Sequence, residues 1–243
     1  MKNFLLILSL LIFVGFFING CSSKTATPLV QQQNTSTTSD ATTIPGPATP
    51  TAILQPPGKI LGPLDSIKEL DDKVSTYKSG SNLTPEDSAA NTKLKEDIIR
   101  GTFDISELSR IALDVHWNEI SEKERSYFSS LMTTLLEKKA ILSKEQVKSD
   151  NKPYHIAYKK EEMVGPDKKS ALVFTILTVP SEKVSLNINY KLILTPTGWH
   201  IFDVIVDDAS LVENYKFQFD TIIRKYGYPE LVSRMEQKLK EME

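Results

Sequence analysis

A chain of 243 residues with 29 basic and 31 acidic side chains has no cationic excess with which to neutralise phosphates, so its charge excludes a nucleic-acid binder. Its single Cys, Cys21, rules out an intramolecular disulfide and leaves the fold to rest on packing alone. Beyond the N-terminal leader and the polar tract after it, about 180 residues remain, enough for one domain with a substantial core.

The leader carries a positive charge at Lys2, an apolar run from Phe4 to Ile18, and a small residue, Gly20, directly before Cys21. Roughly 15 apolar residues fall short of the ~20 that span a bilayer. The pattern therefore predicts a lipoprotein signal over residues 1–20, cut before Cys21, whose thiol then carries a diacylglycerol. Cleavage removes one charge, Lys2, and leaves 28 basic against 31 acidic groups. Such a chain is expected in the cell envelope, anchored by lipid and facing the periplasm. Ser22 after the Cys, rather than Asp, favours the outer membrane over the inner one. Residues 21–62 read as a tether, because Thr, Ser, Pro and Gln predominate and Pro45-Gly46-Pro47 and Pro56-Pro57-Gly58 interrupt any regular structure. A flexible chain of about 40 residues reaches roughly 35 Å. Residues 63–243 form the expected domain.

Within it, Leu64, Ile67, Leu70, Val74 and Tyr77 recur at helical spacing. Ser79-Gly80-Ser81-Asn82 breaks that helix. A second helix starts at Thr84-Pro85-Glu86 and is expected to reach Ile99; a third covers Asp104 to about Val115. Ser121 and Glu124 make a capping box ahead of a helix with a wide apolar face, including Phe128, Leu131 and Leu135.

From Tyr154 the period changes to two. Val184, Leu186, Ile188, Tyr190, Leu192 and Leu194 alternate with polar residues, the mark of a half-buried strand. The run Ala171 to Val179 is apolar on both faces, so a sheet joined by short turns at Pro180-Ser181-Glu182 and Pro196-Thr197-Gly198 has its second face covered as well. More protein or a lipid-filled hollow would serve. Trp199 to Val206 is the fourth strand, and Asp207-Asp208-Ala209-Ser210 turns it into a helix capped by Ser210 and Glu213. Gly227 ends that helix and Pro229 opens the last one. Helices, a meander of about four strands, then helices make an α+β domain.

Catalytic chemistry is sparse. His116, His155 and His200 have no short-range metal-ligand partners, and neither a phosphate loop nor a Gly-x-Ser-x-Gly elbow occurs. Asp203, Asp207 and Asp208 come nearest to an acid pair, yet helix capping and a backbone anchor account for them. No cofactor, metal or catalytic residue is expected.

Phe103-Asp104-Ile105, Leu113, Trp117, Ser121 with Glu124-Arg125, Phe128, Tyr190, Trp199-His200-Ile201-Phe202-Asp203, Ser210-Leu211-Val212-Glu213-Asn214-Tyr215, Phe219, Gly227 and Leu231 together resemble the MlaC family. These are the toluene-tolerance, ABC-transporter auxiliary proteins, and the likeness runs from about Leu94 to Leu239. It implies an NTF2-like curved antiparallel sheet with a helical subdomain, enclosing an apolar pocket for phospholipid tails. It also implies two partners: an MCE-domain ABC transporter and an outer-membrane lipoprotein complex. The chain departs from the family at Asp208-Ala209, where Gly-Val is usual, at Asp114 in place of Gly, and at Lys139 near a usual Tyr. Free diffusion, usual in the family, conflicts with an anchor at Cys21.

The expected role is therefore a membrane-tethered phospholipid carrier without catalysis. Phe128, Leu131, Val173, Ile176, Val184, Ile188, Tyr190, Val204, Ala209 and Tyr215 are expected in or near the pocket, with Val173 and Ile176 covering both faces of their strand. The competing reading is a non-catalytic scaffold of the envelope, in which these residues are ordinary core.

Overall fold

The computed structural model describes residues 60–78, 82–139, 154–180 and 183–242. The leader, Cys21, the tether up to residue 59 and the break at residues 79–81 lie outside the described residues. Helix α1 (Pro63–Ser75) opens on a proline and carries Asp65 in its first turn and Lys73 in its last, both suited to the helix dipole. In α2 (Pro85–Thr102), Thr84 Oγ1 accepts from Asp87 N at 3.1 Å while Asp87 Oδ2 accepts from Thr84 N at 3.3 Å. This helix runs past the expected end at Ile99. Helix α3 (Ile105–Leu113) is capped by Asp104 and gives way to a 3₁₀ turn, Asp114–Asn118, so the third helix is shorter than its periodicity implies. Helix α4 (Glu122–Lys139) starts on the Ser121–Glu124 box, with both reciprocal bonds made.

Five strands follow: β1 (His155–Val164), β2 (Ser170–Val179), β3 (Val184–Thr195), β4 (Gly198–Val206) and β5 (Ala209–Ser210). They form one curved antiparallel sheet in sequential order. A short fifth strand adds to the expected meander of about four, because Ala209 and Ser210, read as part of a turn, pair with Val206 and Ile205. Helices α5 (Leu211–Tyr226) and α6 (Tyr228–Lys240) close the domain, with Gly227 at φ +87° between them. That conformation favours a residue without Cβ.

Strand β2 decides which sheet face is inner. Ala171, Val173, Thr175, Leu177 and Val179 are buried, whereas the residues between them are half-buried. Helix α1 packs over β1 and β2, while α2, α3 and α5 pack on β4 and α4 and α6 lie against the other helices. A parallel bridge between Phe103 and Ile201, with Asp104 N donating to Ile201 O at 2.9 Å, stitches the helical layer to β4. Among the described residues no helix is long and apolar enough to cross a membrane.

Candidate functional site: the apolar interior under the sheet

Antiparallel register sets Val173 opposite Tyr190 and Tyr190 opposite Val204, and sets Thr175 opposite Ile188 and Ile188 opposite Val206. Two transverse rows thus share the inner face, and all six side chains are buried. All but Thr175 join one apolar cluster with Ile67 of α1, Leu131 of α4 and Phe219 of α5. Phe128 and Tyr215 belong to the same cluster but lie on its helical side. The Phe128 ring meets Phe219 edge to face at 5.6 Å, and Tyr215 stacks on Phe219 at 5.4 Å. Seven of the ten expected residues are therefore brought together: Phe128, Leu131, Val173, Ile188, Tyr190, Val204 and Tyr215.

The other three are placed differently. Ile176 is half-buried on the outer face, because strand side chains alternate and its neighbours Thr175 and Leu177 take the inner one. Val184 pairs with Val179 and so shares the inner face, but as the first residue of β3 it stays half-exposed at the far end of the sheet. Ala209 is exposed on the two-residue β5. Its expected place beside the interior is corrected, since the turn at Asp207 and Asp208, both at positive φ, carries the chain outward before α5 begins.

One polar feature sits inside this apolar setting. Asp71, on α1, accepts from the Tyr154 hydroxyl at 3.2 Å and the Tyr158 hydroxyl at 3.0 Å, one on each carboxylate oxygen. Burial, with the Asp71 charge nearby, pushes the Tyr154 phenol up to about 12. Complete burial raises Tyr190 well above its ordinary value, and Asp71 adds to the effect. All these phenols stay neutral at physiological pH. At the other end of α1, Leu64 N donates to Glu161 Oε2 of β1 at 2.7 Å. Helix α1 is thus tied to the edge of the sheet through its first turn and through its second half. Reading the sequence missed this cluster, although Tyr154, Ile156 and Tyr158 alternate and so point one way.

Asp203 and His116 have structural partners. Asp203, buried within β4, accepts from Ser210 Oγ at 2.8 Å and Val212 N at 3.1 Å, and pairs with Lys191 Nζ at 3.0 Å. It anchors the strand-to-helix corner. His116 is not isolated as its sequence context implied: Nδ1 lies 2.8 Å from Glu119 Oε2 and Nε2 lies 2.9 Å from Asp220 Oδ1. Asp208 has φ +70° and Asp114 has φ +49°, a backbone conformation that ordinarily favours Gly.

Comparison with known proteins adds two findings. The family model for the MlaC protein matches residues 68–237. Among solved structures, a phospholipid-binding protein from Ralstonia solanacearum, determined in complex with a phospholipid, superposes with a TM-score of 0.59 at 20% identity, covering 74% of this chain and 97% of that one. No curated protein matches the chain.

Proposed function

The chain belongs to the MlaC family, and on that premise we propose that it binds phospholipid in the interior between sheet and helices and passes it between membrane complexes. The observation that carries this reading is the continuous apolar inner face from Val173 to Val204, roofed by a helix that is held to its edge largely by polar bonds. Two acyl chains of about 16 carbons expose about 30 methylenes, and at ~0.8 kcal/mol each they would cost roughly 24 kcal/mol in water. An interior of Val, Ile, Leu and aromatic side chains removes most of that barrier without a covalent step. Asp203 and His116 hold structural hydrogen bonds in this reading. Acylation at Cys21 would keep the carrier on one membrane, the outer one on the evidence of Ser22. Its partners would be an MCE-domain ABC transporter and an outer-membrane lipoprotein complex, as the family suggests.

Native mass spectrometry with lipid extraction tests the proposal. Protein made in bacteria should carry added phospholipid mass. Val184→Arg, at the half-exposed end of the inner face, should lose that mass and keep the circular dichroism of the parent. A parent chain that flies bare and extracts no phospholipid supports the scaffold reading instead.

A further inference from the structure

We propose that the end of the sheet bearing the β1–β2 hairpin is a membrane-docking tip, with Ile60, Leu61, Met163 and Val164 entering the interface of an anionic bilayer and Lys168 and Lys169 meeting its headgroups.

The direction of α1 brings these residues together. Its Asp71 meets Tyr154 and Tyr158 while its Leu64 meets Glu161, so the helix runs antiparallel to β1. Seven helical residues rise ~10 Å, about the length of strand between Tyr158 and Glu161. The residues before α1 therefore continue past Glu161 toward Met163 and Val164. Ile60, Leu61, Met163 and Val164 are 50%, 41%, 42% and 49% exposed. Such side chains in one place mark an interaction surface rather than scattered surface apolarity. The hairpin beyond them is tight, with Gly165 and Lys168 both at positive φ. The β3–β4 turn lies alongside, since Leu194 N donates to Lys169 O at 2.8 Å.

Charge and connectivity select a bilayer as the occupant. Residues 159–169 carry four lysines against the three carboxylates of Glu161, Glu162 and Asp167, and Glu162 pairs with Lys160, so the tip keeps a small cationic excess. The Lys168 and Lys169 side chains have no ion pair among the described residues. Exposed apolar residues beside unpaired lysines suit the boundary of an anionic membrane. The chain also enters the domain here. The apolar run Phe4 to Ile18 and Cys21 lie upstream of Ile60, so the segment that carries the attachment, if Cys21 is acylated as proposed, joins the domain at this end. The tip's own geometry does not depend on that modification.

Spin labelling of the full chain in vesicles tests the proposal. Cys21→Ala leaves an introduced cysteine as the only thiol, and one nitroxide is placed by Met163→Cys, another by Ser233→Cys on α6. Vesicles contain phosphatidylcholine and phosphatidylglycerol, or phosphatidylcholine alone. Because the N-terminal apolar run is present in every sample, the readout is depth rather than attachment. The label at 163 should gain oxygen access and lose access to a water-soluble nickel complex when the anionic lipid is present, while the label at 233 stays aqueous. Adding Lys168→Glu with Lys169→Glu, or high salt, should return position 163 to the aqueous value. A label at 163 that stays aqueous in a folded chain overturns the proposal, as do equal depths at both sites. A label shielded from both reagents would assign the tip to a protein partner or a second copy, and would overturn it too. Phospholipid retained on the same samples reports separately on the proposed cargo.

Discussion

Phe128, Phe219 and Tyr215 fill the helical half with rings in direct contact, whereas α1, the helix packed over β1 and β2, buries only Pro63 and Ile67 fully. The first half is held by packing that cannot be parted without opening a cavity. The second is held substantially by hydrogen bonds, each of net value about 1 kcal/mol, from Asp71 and Glu161 to their partners. For the proposed carrier role this asymmetry would supply one rigid wall and one wall that opens at modest cost.

The largest expected effect lies in the rigid half. Phe219→Ala should cost about 3–5 kcal/mol in urea unfolding, because the side chain is fully buried among Phe128 and Tyr215. A loss below that of Ile67→Ala would reverse the assignment of rigid and opening walls. In the other half, Asp71→Ala should cost about 1–2 kcal/mol and act locally. Amide exchange should rise across α1 while α5 keeps its protection, and uniform loss of protection would mean that α1 is integral to the core. Asp114→Gly should stabilise the domain by about 1 kcal/mol, since φ +49° with ψ −120° strains any residue with a Cβ and the exposed contact with Lys216 contributes little. Unchanged stability in thermal melts would remove strain at this turn from the account.

The smallest effect is one of pH. Burial opposes a charged His116, yet its hydrogen bonds to Glu119 and Asp220 outweigh burial and raise the imidazole above its ordinary 6.5. Both ring nitrogens face carboxylates, so the cation is the form that fits. The folded value being the higher one, this stabilisation is complete below about 6.5 and is lost as pH rises through the folded value. An NMR titration of the ring should give a midpoint above 6.5, and His116→Gln should flatten the corresponding slope of stability with pH. An ordinary midpoint would leave the tie between the 3₁₀ turn and α5 independent of protonation.

The α+β class, the order of elements, the Ser121 and Ser210 caps and the break at Gly227 were legible in the sequence. They depend on contacts within about four residues or on a period of two or 3.6, which the sequence carries directly. Seven buried positions of the interior were legible for the same reason, since apolar side chains at those periods have to turn inward. The choice between Val173 and Ile176 was not, because a strand apolar on both faces leaves its inner face to whatever packs against it. Ala209 went to the surface because two adjacent residues at positive φ redirect the chain; the sequence marks a turn at Asp207-Asp208 but not the left-handed conformation that sets its direction. The pinning of α1 by Tyr154, Tyr158 and Glu161 joins residues more than 80 positions apart. Only the tertiary structure decides such pairs, because they exist once the sheet has fixed its register and α1 has settled antiparallel to its edge strand.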